Sequence, residues 1–133
     1  MSYKKAFEHY EKTMHATVSP IEYVLRLFEQ LSYGYRQLER EIEEDAPILT
    51  VNDTLHKLQL IFFELMATVD RTNEKGAKLF TTYLYLNQRI VDMRLTRQFD
   101  QLEEIKEETK ELQRAWKDAL QKSRKRNFTS NQI

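Results

Sequence analysis

Leu55-His-Lys-Leu-Gln-Leu-Ile-Phe-Phe-Glu-Leu-Met-Ala-Thr-Val69 carries more apolar surface than a helix with one buried face requires. Val51, Leu55, Leu58, Phe62, Leu65 and Val69 recur at spacings of four and three, which places them on one stripe of an α-helix. One stripe suffices to join a core. Leu60 and Phe63 project well away from it, and Ile61 and Met66 sit at its edges. Large apolar groups kept off a core face often serve to hold a partner.

The same periodicity extends outward from this segment. Toward the N-terminus, Ser19 can cap a helix, Pro20 suits its first position and Glu22 completes a capping box. Ile21, Val24, Phe28, Leu31, Tyr35, Leu38 and Ile42 then form a stripe, closed by Asp45-Ala-Pro47, because Ala46 before a proline disfavours the α region. Gly34 lies inside this helix at a cost of about 1 kcal/mol against alanine, which a close helix approach would explain. The second helix is expected from Asn52 or Asp53, both plausible caps, to about Arg71. Arg71–Gly76 reads as a connection. A third helix follows over about Ala77–Leu95, with Phe80, Tyr83, Leu84, Ile90 and Val91 toward the core and Asn87 interrupting the stripe. The fourth covers about Phe99–Lys122, with Leu102, Ile105, Thr109, Leu112, Trp116 and Leu120 as its stripe.

Short connections force successive helices to run antiparallel, so the expected fold is all-α, an up-down-up-down four-helix bundle over residues 19–122. Tyr3, Phe7 and Tyr10 share a helical spacing, so residues 1–18 are expected as a short segment or helix packed on the bundle. Residues 123–133, opening with Ser123-Arg-Lys-Arg126, are expected to form a flexible basic tail.

Composition excludes several function classes. With 133 residues, the chain fits a single domain. It has no cysteine, so disulfides and thiolate metal sites cannot form. Lys plus Arg and Asp plus Glu number 21 each, a balance that gives no overall pull toward nucleic acid or an anionic membrane. No apolar run approaches the roughly 20 residues of a membrane span, and Met1-Ser-Tyr-Lys-Lys lacks the apolar core of a signal peptide. A soluble cytoplasmic protein is the expectation.

No catalytic or metal constellation assembles. None of His9, His15 and His56 stands in a Glu-x-x-His pair. Glu11 and His15 read best as a solvated surface pair. Only Gly34 and Gly76 are available, so no phosphate-cradling loop exists. Glu103, Glu104, Glu107, Glu108 and Glu111 interleave with Lys106 and Lys110 in the pattern of a solvated helix face. Neither enzyme activity nor a cofactor is expected. What remains is the off-stripe set: Leu60 and Phe63 on the second helix, Tyr33 almost opposite the first stripe, and Tyr85 and Leu86 on the third helix. They point to a groove that holds an amphipathic segment of another protein between two bundle helices. The alternative is a helical adaptor or a self-associating regulator, a possible homo-oligomer, using the same apolar surface.

Three blocks, taken together, carry a family likeness. They are Tyr10-Glu-Lys-Thr-Met-His-Ala-Thr-Val-Ser19-Pro20 with Leu27-Phe28-Glu29; Lys57-Leu-Gln59-Leu-Ile61-Phe-Phe-Glu64-Leu65-Met66-Ala-Thr-Val69-Asp70; and Leu112-Gln-Arg-Ala115-Trp116-Lys-Asp-Ala119. In this order and spacing they resemble the FliS family of flagellar secretion chaperones from about Tyr10 to Leu120. Phe28 departs from the tyrosine that the family favours there, and Tyr83-Leu84 inverts its usual Leu-Tyr pair. The resemblance implies a cytosolic helical bundle that binds the disordered C-terminal segment of flagellin, blocks its premature polymerisation and keeps it ready for export, with flagellar export components as further partners. It also implies that the N-terminal segment lies near the binding site, with Tyr10 as the matching residue.

Overall fold

Burial of the stripes drives four helices together. In a computed structural model that describes residues 20–131, with side chains through residue 126, these are α1 (Pro20–Glu43), α2 (Ile48–Ala67), α3 (Glu74–Thr96) and α4 (Leu102–Asn131). The chain is the expected all-α, antiparallel four-helix bundle. Residues 1–18, Tyr10 and the proposed Ser19 cap lie outside the described residues. α1 packs against α2 and α4, and α2 against α3.

Val24, Phe28, Leu31, Tyr35 and Leu38 of α1 and Val51, Leu55, Leu58, Phe62 and Leu65 of α2 are all buried, as their spacing predicts. On α3 the inward stripe is Tyr83, Leu86, Ile90 and Met93. Two expectations are corrected there. Leu84 is 47% exposed and not a core residue, whereas Leu86 is fully buried and cannot line an open partner surface. Asn87 does not break the stripe but is buried beside it. α4 joins the core through Leu102, Ile105 and Thr109, while Leu112, Trp116 and Leu120 are half-buried.

Helix ends follow from local chemistry. α1 and α3 stop where Asp45 (φ 50°) and Arg97 (φ 60°) turn left-handed. The Arg97 amide donates to the Met93 carbonyl, and its guanidinium to Asn52 Oδ1 at 3.2 Å, tying α3 to α2. α2 begins at Ile48, earlier than Asn52, because Pro47 supplies a preset φ of −56° and no side-chain cap is used. α3 begins at Glu74, not Ala77, because Asn73 caps it by accepting the Gly76 amide at 2.7 Å. α4 continues past Lys122 to Asn131, so the expected tail begins as helix, and Arg124 pairs with Glu22 across to α1 at 3.2 Å. Gly34 marks a close approach: a Cβ there would lie 2.7 Å from Leu58 Cδ2.

Polar side chains join α4 to the rest. The Tyr35 and Thr109 hydroxyls share a hydrogen bond of 2.9 Å, and Trp116 Nε1 donates to the Tyr83 hydroxyl at 3.0 Å. Burial pushes the pKa of both tyrosine hydroxyls well above the ordinary phenol range, so they stay neutral. The hydrogen bond to Glu39 holds the Lys106 ammonium above its usual range. Arg89, nearly buried, donates from α3 to Gln101, Glu104 and Glu108 at 3.1, 3.2 and 3.3 Å. Glu104 is 68% exposed, so this clamp is weaker than a fully buried ion pair. Arg89→Ala is expected to cost about 1–3 kcal/mol, from lost charge-assisted bonds and lost packing of the stem. Thermal melts of the two proteins, followed by circular dichroism, measure it.

Candidate functional site

Where α1 and α2 pack closely at Gly34 and Leu58, their outer flanks diverge and leave an open groove of about 720 Å³. α1 contributes Arg26, Glu29, Gln30, Tyr33 and Gln37, which lie three, four, seven and eleven residues on from Arg26 and so share one flank. α2 contributes Lys57, Leu60, Ile61 and Glu64 by the same spacing. The apolar centre is Tyr33, Leu60 and Ile61. Tyr33 is 61% and Leu60 46% exposed, so both offer surface without being needed by the core. The Arg36 guanidinium lies 6.0 Å from the centroid of the Tyr33 ring and steadies it.

Polar contacts close the groove at each end. Toward the end of α1, Thr54 Oγ1 and Gln37 Nε2 both donate to Glu41 Oε2, at 2.9 and 3.1 Å. Toward its start, the Tyr23 hydroxyl donates to Glu64 Oε2 at 3.0 Å. Arg26 and Lys57 supply cations along the rim, and Glu29 and Glu64 anions. An apolar floor with a mixed polar rim suits an amphipathic helix laid lengthwise, its apolar face down. A second concavity of about 590 Å³, between Ile21 and the α4 residues Ala115, Ala119, Lys122, Ser123 and Arg126, has only one large apolar side chain.

Of the residues singled out in the sequence, Tyr33 and Leu60 meet in the α1–α2 groove. Phe63 lies on the flank of α2 turned away from it and is half-buried against the core. Tyr85 is 53% exposed on α3, with the Arg89 guanidinium 5.4 Å from its ring centroid. Leu86 is in the core. Tyr10 lies outside the described residues. Sequence reasoning missed Ile61 as a groove residue and the whole polar rim. The signal was present in the spacing of Arg26, Glu29, Tyr33 and Gln37, whose polar members read singly as solvated surface.

Residues 3–123 match the family model described as "Flagellar protein FliS". The chain is also similar to the "Flagellar secretion chaperone FliS" of Bacillus subtilis (strain 168). It is 28% identical to that protein over 133 residues, which are all of this chain and 99% of the relative.

Proposed function

The chain belongs to the FliS family, and from that premise we propose that it is a cytoplasmic flagellar export chaperone whose α1–α2 groove binds the disordered C-terminal segment of flagellin. The single observation that carries the reading is the pairing of Tyr33 and Leu60 across one open groove. A disordered client loses conformational entropy as it orders, so it needs apolar surface in compensation. Tyr33, Leu60 and Ile61 supply that surface. Held along the groove, the client's apolar face is withheld from other flagellin copies until export. The chemistry required is binding alone; no group-transfer step and no cofactor enters.

The test is calorimetry of the full chain with a peptide of the flagellin C-terminal segment. Saturable binding with a negative heat-capacity change is expected. Replacing both Tyr33 and Leu60 with serine should weaken it by at least about tenfold, or about 1.4 kcal/mol. Neither side chain belongs to the buried core, so the circular dichroism spectrum should not change. Phe63→Ser is the poorer probe, because that ring packs on the core. Absence of binding by the wild-type chain, or unchanged affinity in the double variant, overturns the reading.

A further inference from the structure

One end of the α1–α2 groove holds a buried carboxylate with an oxygen to spare. Glu41 is 9% exposed, which is rare for a residue type that water normally solvates. Its Oε2 accepts from Thr54 Oγ1 at 2.9 Å and from Gln37 Nε2 at 3.1 Å. Its Oε1 is buried too, and no donor among the described residues reaches it. Both donors to Oε2 are neutral. Arg40 is exposed and Lys57 lies one turn of α2 from Thr54, yet neither forms an ion pair with Glu41. Burying a charge is costly unless a counter-charge joins it, and two neutral donors offset only part of that cost. Tying α1 to α2 through Thr54 needs a single acceptor oxygen, which a glutamine would supply without the charge. The second oxygen and the charge are therefore left over from the fold. Gln37 and Thr54 both line the groove, so the carboxylate stands directly behind its end wall.

We infer that Glu41 is the charge-reading residue of the groove, accepting a Lys or Arg side chain of the bound segment on Oε1. The inference rests on the groove being the binding site proposed above. Gln37 is only half-buried, and its side chain swings aside to admit the cation. Tyr33 and Glu41 are eight residues apart on α1, about 12 Å along the helix. The cation of a helical occupant therefore stands one to two turns from the apolar residue seated between Tyr33 and Leu60. The same dry surroundings that make the unpaired carboxylate costly make the pair strong once formed. An occupant with an apolar or acidic residue at that place leaves Glu41 unpaired or repelled, and this discriminates among amphipathic helices that fit the apolar floor equally well.

The test is calorimetry of the full chain with the flagellin C-terminal peptide. It is repeated with that peptide carrying norleucine for Lys, or citrulline for Arg, one position at a time. Glu41→Gln keeps an oxygen for Thr54 and Gln37, and should weaken binding of the original peptide by at least about tenfold. One neutralised peptide should show the same loss against wild type and no further loss against Glu41→Gln. The thermal midpoint of the unbound Glu41→Gln chain should equal or exceed that of wild type, because an unpaired buried charge has been removed. A residue that only holds the helices together would instead lower the midpoint and be indifferent to the peptide's charges. Full affinity in Glu41→Gln, or a loss coupled to no cation of the peptide, overturns the inference. If Tyr33→Ser, Leu60→Ser still abolishes binding in that case, the groove itself stands as the site. Absence of binding by the wild-type chain overturns both.

Discussion

Phe28→Ala is expected to lower the stability of the bundle by about 3–5 kcal/mol, at the upper end of what a single core truncation does. Phe28 is fully buried on α1, and its ring centroid lies 6.3 Å from that of Tyr83 on α3, tilted by 53°. The contact therefore spans the core between two helices that are not close neighbours along their backbones. The cost of a large-to-small change depends on how far the surroundings can collapse into the space. Here the natural filler is Tyr83, but its hydroxyl is held by Trp116 Nε1 at 3.0 Å. Moving the ring inward would break that bond and leave a buried hydroxyl without its donor. The cavity should therefore stay largely open. With a urea m-value of about 2 kcal/mol/M, the unfolding midpoint should drop by about 2 M without a change in slope. Phe28→Leu, which keeps most of the volume, should cost about 1–2 kcal/mol. Urea titrations of the three proteins decide the matter. Equal midpoints for wild type and Phe28→Ala would mean that the Phe28–Tyr83 contact does not hold the core.

The bundle was legible because burial repeats with the helix period. The stripes of α1 and α2 needed only spacing. α3 resisted because it carries two apolar stripes. Periodicity finds both but does not say which one meets the core, so Leu84 and Leu86 were assigned to each other's places. The start of α2 was missed because a side-chain cap was sought where Pro47 does the work with its ring. The start of α3 was missed because the polar run Arg71–Gly76 reads as a connection, although Asn73 within it is the cap. The site was legible in part for a related reason. Tyr33 and Leu60 stand off their own stripes, which spacing reveals, and they meet because α1 and α2 are adjacent. Phe63 and Tyr85 also stand off-stripe, but which neighbouring helix a flank faces depends on the hand of the bundle. Nothing in local periodicity encodes that hand.

Gly76→Ala gives the sharpest conflict between two rules, because they differ in sign. By helix propensity alone, alanine inside a helix gains about 1 kcal/mol over glycine. Gly76 has no positive φ, so backbone freedom is not its reason for being there. Its reason is room. A Cβ at this position would come 1.7 Å from the Asp70 carbonyl oxygen and 3.2 Å from Asn73 Oδ1. The first of these is backbone and cannot swing aside as a side-chain end can. The turn would have to be rebuilt, and its bonds are interdependent. Asp70 Oδ1 accepts from the Thr72 amide at 3.0 Å and from the Thr72 hydroxyl, and those bonds hold its carboxyl below the usual carboxylate range. Asn73 Oδ1 accepts from the Gly76 amide itself. Displacing the Asp70 carbonyl thus threatens the cap of α3, itself worth about 1 kcal/mol. The steric term should win, with a net loss of about 2–4 kcal/mol for Gly76→Ala. Asn73→Ala, which removes the cap alone, should lose about 1 kcal/mol. Amide hydrogen exchange should place the damage in Asp70–Ala77 and the first turn of α3, with the α1–α2 pair protected as before. A Gly76→Ala protein as stable as wild type, or more so, would mean that propensity rules this turn and that the close carbonyl approach does not exist in solution.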